Sequence, residues 1–195
     1  GGFEGIVDFD PNNVHAGDTD IVNAGIGSDV FVAKYDPAGA LLWSRRMGNP
    51  TDDSYADSGF SLAADGAGNV YVAGMFGGTA DFGDETMTSV GAADVFLVKL
   101  DGSGQVAWAT SYDGSMRSIA CGVDGDVYLS VSSAGGGAND VLRYNADDGS
   151  AMWKRTLLNG NQKAMVAADD DGNVYIADHF FKTFDVDPGP GVHII

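Results

Sequence analysis

The run DVFLVKLDGSGQVAW, residues 94–108, is an apolar strand, a tight turn closed by glycine, and a second strand ending on tryptophan. A near copy, DVFVAKYDPAGALLW, occupies 29–43, and a weaker one, DVLRYNADDGSAMW, occupies 140–153. In every copy the turn glycine precedes the tryptophan by four residues: Gly39 and Trp43, Gly104 and Trp108, Gly149 and Trp153. The tryptophans are 65 and then 45 residues apart, so the hairpin is kept while the connections change. Self-similarity at such a spacing points to a repeat architecture.

Working outward, each hairpin is preceded by another. GFSLAAD (59–65) turns through Gly66–Asn69 into VYVAGMF (70–76), SIACGV (118–123) into DVYLSVS (126–132), and AMVAAD (164–169) into NVYIADHFF (173–181). The segment TADFG (79–83) parallels IVDFDP (6–11) and TFDVDP (183–188), and a loop leads from it to Asp94. No stretch keeps a 3.6-residue apolar period between helix caps. The strands are short, β-branched or aromatic, and separated by Gly/Asp turns. Four-stranded antiparallel units of this length predict the blades of an all-β propeller. The expected division is a half blade at 1–50, a complete blade at 51–115, a shorter blade at 116–160 and a half blade at 161–195. That is about three blades' worth. It suits part of a larger propeller, or two copies closing a six-bladed ring.

These residues resemble a known family. GNVYVAG, then a loop with DFDP, then DVFVAKYD and G-x-x-x-W, is similar to the bacterial β-propeller repeat called SBBP. The likeness covers almost the whole chain and implies a secreted or cell-surface protein. The G-x-x-x-W hairpin also resembles the tryptophan-docking motif of quinoprotein-type propellers. It implies that Trp43, Trp108 and Trp153 are structural residues packed between blades. Independently, a Trp at one fixed register in each unit buries a large apolar area and sets the spacing between units.

Composition bounds the function. There are 28 Asp and Glu against 10 Lys and Arg, a net charge of −18. Such a surface repels nucleic-acid phosphates and anionic membranes. Cys121 is the one cysteine, so no intrachain disulfide forms, and SIACGV suits a small buried thiol. No apolar run approaches the length of a membrane-spanning helix. The chain opens on Gly-Gly, which reads as a processed chain or a fragment.

The acids pose the main chemical question. Asp8 and Asp10, Asp18 and Asp20, and Asp185 and Asp187 alternate on extended segments, an arrangement that can offer hard oxygen ligands to calcium. The middle copy keeps only Asp81, and Asp-Pro is ordinary turn chemistry, so structural turns are the simpler reading. DDDGN (169–173) has its glycine at the wrong offset for a calcium loop. The three histidines, His15, His179 and His193, share no motif, and no nucleophile elbow, zinc or phosphate-loop signature occurs. The expectation is therefore a non-enzymatic, extracellular or cell-surface scaffold presenting loops 8–20, 77–93 and 185–193 to a protein or glycan, with calcium ordering the acidic loops. The alternatives are a carbohydrate-active lyase or hydrolase, which needs clustered acids in a cleft, and a purely structural subunit of a surface assembly. Expected partners are a protein or glycan and a second copy or the rest of a longer chain.

Overall fold

The computed structural model describes residues 2–10, 21–49, 57–134, 138–158 and 164–179. Fifteen strands and no helix occur among them. β1 (Gly2–Asp8), β2 (Ile21–Tyr35) and β3 (Leu41–Met47) form the first sheet. β4 (Ser58–Ala64) and β5 (Val70–Phe76) begin the second, and β6 (Thr79–Phe82) with β7 (Glu85–Thr88) make a separate hairpin. β8 (Asp94–Leu100) and β9 (Val106–Tyr112) complete the second sheet in the order β4-β5-β8-β9. β10 (Gly114–Cys121), β11 (Val127–Ser133), β12 (Ala138–Tyr144) and β13 (Ala151–Leu158) are the third, and β14 (Met165–Ala168) with β15 (Val174–Ala177) the fourth. All pairings are antiparallel. β10 lies beside both β4 and β14, so the first strands of successive blades run next to one another, as in a β-propeller.

The core lies between the sheets, and β8 shows why its sequence is a nearly unbroken apolar run. Val95 and Leu97 face the third sheet, in one cluster with Leu129, Val131 and Leu142. Phe96, Val98 and Leu100 face the first sheet, in another with Val30 and Met47. A strand buried on both faces has no solvent side to alternate toward.

Two expectations need correction. The described residues among the first fifty hold three strands, where a half blade of two was expected. β1 is a full strand, and β2 extends back to Ile21 where an irregular loop was expected. Second, the loop expected at 77–93 contains the β6–β7 hairpin, turned at Gly83-Asp84. Its Phe82 is buried, 5.4 Å from the Phe76 ring and 5.0 Å from that of Phe96. Backbone bonds of 3.0 and 3.1 Å between Asp81 and Gly48 tie it to the first sheet. Its buried face, Ala80 and Phe82, is scaffold, while Asp81 and the turn residues Gly83–Glu85 are exposed.

Many acids are held in turns. Asp36 accepts the N–H of Ala38 and Ala40, Asp65 those of Ala67 and Asn69, Asp101 those of Ser103 and Gln105, and Asp169 those of Asp171 and Asn173. Each carboxylate closes its hairpin by replacing backbone partners that the turn cannot supply. In DDDGN the remaining oxygen of Asp169 accepts from the Asn173 amide and the Tyr175 hydroxyl.

Candidate functional site: the blade junctions and the Arg117 cleft

The junctions are built from the hairpin repeat. Trp43 on β3 lays its indole on Gly104, in the β8–β9 turn of the next sheet, and its Nε1–H donates to Gly102 O at 3.1 Å. Trp108 on β9 repeats this against Gly149, donating to Ala146 O at 3.0 Å. A Cβ on either glycine would lie 2.7 Å from indole Cδ2, and both glycines have positive φ, so only glycine fits. Lysines reinforce the contacts: Lys34 Nζ reaches Gly102 O at 3.2 Å and Lys99 Nζ reaches Ala146 O at 2.7 Å. Trp153 stands at the same register on β13, its ring centroid 6.0 Å from Tyr128, as Trp108 stands 5.9 Å from Tyr71.

A second register is set by the aspartate opening β8 and its counterparts. Asp29, Asp94 and Asp140 are each about 1% exposed, yet each finds different partners. Asp29 pairs with Arg46. Asp94 accepts the backbone N–H of Val90 and Gly91. Asp140 accepts from Tyr112, Ser133 and Thr156, with Lys154 Nζ at 3.6 Å. Burial tends to raise the Asp140 carboxyl, but the hydroxyl donors and Lys154 outweigh it and hold it below its ordinary range. Asp57 is the opposite case. Its burial, with Asp29 adding to it, outweighs the relief from the Gly77 and Asn49 N–H groups and the Arg46 charge, and pushes it up to about 6. Burial raises Asp29 as well.

A pH dependence follows. The folded chain holds a proton on Asp57 more tightly than the unfolded chain does. Its ionisation therefore works against folding, with no cost below about pH 4 and the full cost above about pH 6. The depressed Asp140 acts in the other sense. Its contribution is present above about pH 4 and is lost as pH falls further. Urea unfolding should show stability rising as pH drops from 7 toward 5, then falling below 4. Asp57→Asn should flatten the upper limb, a change of roughly 2–3 kcal/mol at pH 7. A profile between pH 5 and 7 that the substitution leaves unaltered would contradict the assignment.

Between the second and third blades lies an open cleft of about 330 Å³. Gly91–Ala93 form one wall, Asp113 with Gly114 and Ser115 at the start of β10 another, and Ser132–Ala134 at the end of β11 a third. Arg117, from β10, also lines it. The Arg117 guanidinium is held by Met116 O at 2.9 Å and Ser132 Oγ at 2.9 Å, and its Nε is buried without a partner. Arg117, Ser115 and the exposed Asp113 thus line one polar space, while Ser132 Oγ is held by Arg117 and Ser133 Oγ donates to Asp140. Three separate stretches meet here, and no local motif marks them.

Two comparisons with known families agree with this geometry. Residues 42–75 match the SBBP β-propeller repeat. Residues 91–190, more than half of the 195, match the family described as outer membrane protein assembly factor BamB. The chain belongs to this family. Both propeller resemblances read in the sequence are therefore present, one in each part of the chain. No curated protein matches the chain significantly.

Of the acids considered for calcium, Asp8 and Asp10 lie among the described residues. Asp8 Oδ1 accepts the Asp10 N–H at 2.9 Å, a local turn bond. Asp18, Asp20, Asp185 and Asp187, like His15, His193 and the 185–193 loop, lie outside the described residues. Among the described residues no three His, Cys, Asp or Glu side chains cluster as metal ligands. No helix among them is long and apolar enough to cross a membrane.

Proposed function

We propose that the chain is a non-enzymatic, extracellular or cell-surface binding module whose Arg117 cleft takes a neutral, hydroxyl-rich ligand of the glycan class. The observation that carries this reading is the cleft's mixture of groups: the Arg117 guanidinium, Ser115 and the exposed Asp113 carboxylate. Sugar hydroxyls both donate and accept, and such a wall can answer them in both senses. The strands that carry these residues are packed against neighbouring sheets, which limits the ordering cost of binding. The net charge of −18 favours a neutral glycan over a polyanionic one.

The test is calorimetry against a panel of neutral oligosaccharides found by array screening. Arg117→Ala should weaken the best binder roughly tenfold or more, the worth of one charge-assisted bond. Ser115→Ala should have a smaller effect. Binding that is indifferent to Arg117, or found only for polyanions, would defeat the proposal.

A second reading has its own support. The family matched at 91–190 is named for outer membrane protein assembly, which favours a protein partner and a place outside the cytoplasm. Capture of a folded or extended protein that competes with the oligosaccharide would favour this reading.

A further inference from the structure

The first and second sheets meet at one junction, the second and third at another, and the two differ at one place. In the sequence Asp140 heads its copy of the repeat as Asp94 does. In the sheets it does not match Asp94. Counted back from Lys99 and Arg143, which face Trp108 and Trp153, Asp140 stands level with Phe96. Phe96 pairs with Gly74 and Asp140 with Val131, so Ser133 stands level with Phe76. Tyr112, four residues after Trp108, matches Met47, four after Trp43. At the first junction Met47, Phe76 and Phe96 are fully buried in one apolar cluster, with Phe82 of the β6–β7 hairpin against both phenylalanines.

At the second junction the same place is polar. Asp140 Oδ2 accepts from Ser133 Oγ at 2.6 Å and from the Tyr112 hydroxyl at 2.7 Å, and Oδ1 accepts from Thr156 Oγ1 at 2.5 Å. Lys154 Nζ lies 3.2 Å from the Tyr112 hydroxyl. A buried charged cluster is seldom a gain in stability over apolar packing, and the apolar solution stands one junction away in the same fold. The polar cluster lies directly against the Arg117 cleft. Ser133 lines that cleft and pairs with Gly114, which lines it too. Ser132, whose hydroxyl accepts from Arg117, precedes Ser133. Tyr112 precedes Asp113, and its Cδ1 lies 3.5 Å from the place of a Cβ on Gly114.

We propose that Asp140 is the positioning residue of this cleft: through Tyr112 it sets the link that bears Asp113, and through Ser133 the wall that holds Arg117. The inference rests on the ligand reading of the cleft given above. Asp140 is 1% exposed and does not touch the ligand. It fixes the separation of the groups that do, before the ligand arrives, which lowers the ordering cost of binding.

The test compares two variants that each remove one hydroxyl from Asp140 and should cost similar stability in urea. Tyr112→Phe removes the hydroxyl next to the cleft, and Thr156→Val one on β13, which does not line it. In the ¹⁵N-labelled chain without ligand, Tyr112→Phe should shift the Ser115 and Ser132 amides and the Arg117 Nε–H, while Thr156→Val should leave them in place. In calorimetry with the best neutral oligosaccharide, Tyr112→Phe should weaken binding roughly threefold or more, the worth of one neutral hydrogen bond. Thr156→Val should bind as the parent chain does. Equal effects of the two variants on binding, or cleft resonances that neither moves, overturn the proposal. Arg117→Ala separates it from the reading on which it rests. Binding indifferent to Arg117 defeats that reading, and the ligand-free resonances still decide whether Asp140 sets the cleft walls.

Discussion

Replacing Trp108 with alanine is expected to destabilise the fold by about 3–5 kcal/mol, the range for truncating a large buried aromatic side chain. Trp108 is 7% exposed and belongs to the cluster joining the second and third blades, with Tyr71, Val127 and Leu129. Its polar loss is small by comparison. The Ala146 carbonyl keeps the Lys99 ammonium at 2.7 Å when the indole N–H is gone, so only about 1 kcal/mol of hydrogen bonding is lost. Most of the effect is a void between two sheets that backbone pairing prevents from collapsing. Trp43 is half-buried, and its bond to Gly102 O is exposed, so Trp43→Ala should cost clearly less. Urea unfolding at neutral pH checks both the size and the order. Equal, small effects would mean that the indoles decorate the junctions without holding them.

Gly149→Ala should approach the same scale, at about 3 kcal/mol, although it adds a single methyl group. Two costs combine. The residue has φ of 69°, where a side chain costs about 1–2 kcal/mol. The new Cβ would also lie 2.7 Å from two indole carbons of Trp108, so the ring or the turn must move. Gly68→Ala separates the two. Its φ is 87°, but nothing lies within 4 Å of its Cβ position. That substitution should cost only the backbone strain, about 1–2 kcal/mol. Thermal or urea unfolding of the two variants side by side measures the indole's share directly.

The legible parts of the fold share a physical cause. The β8–β9 hairpin could be read because a strand buried on both faces must be apolar throughout, and because the turn against an indole requires glycine at one register. The β6–β7 hairpin was less legible. Its Gly83-Asp84 turn is a recognisable two-residue signal, but Thr79–Phe82 and Glu85–Thr88 are too short to show a period. β2 was obscured by the glycines at 25 and 27 and by Ser28, which interrupt the apolar pattern before Asp29. The cleft could not be read at all. Asp113 and Arg117 are near neighbours in sequence, but Ser132 reaches them by β10–β11 pairing and Gly91 only through the packing of two blades. The buried aspartates were hidden for the same reason. Asp29, Asp94 and Asp140 hold the same place in the repeat, and whether each meets an arginine, backbone amides or hydroxyls depends on neighbours the repeat does not keep. The junction chemistry is thus repeated and readable, while the chemistry open to a ligand comes from the parts that differ between blades.

The claim on which this rests is that tryptophan and glycine act as one unit across each blade junction. A double-mutant cycle of Trp108→Ala and Gly149→Ala, followed by urea unfolding, tests it most directly. If the indole is what excludes a side chain from residue 149, Gly149→Ala should cost only the backbone strain, about 1–2 kcal/mol, once Trp108 is gone, a coupling of at least about 1 kcal/mol. Additive costs, with Gly149→Ala equally damaging in both backgrounds, would contradict it.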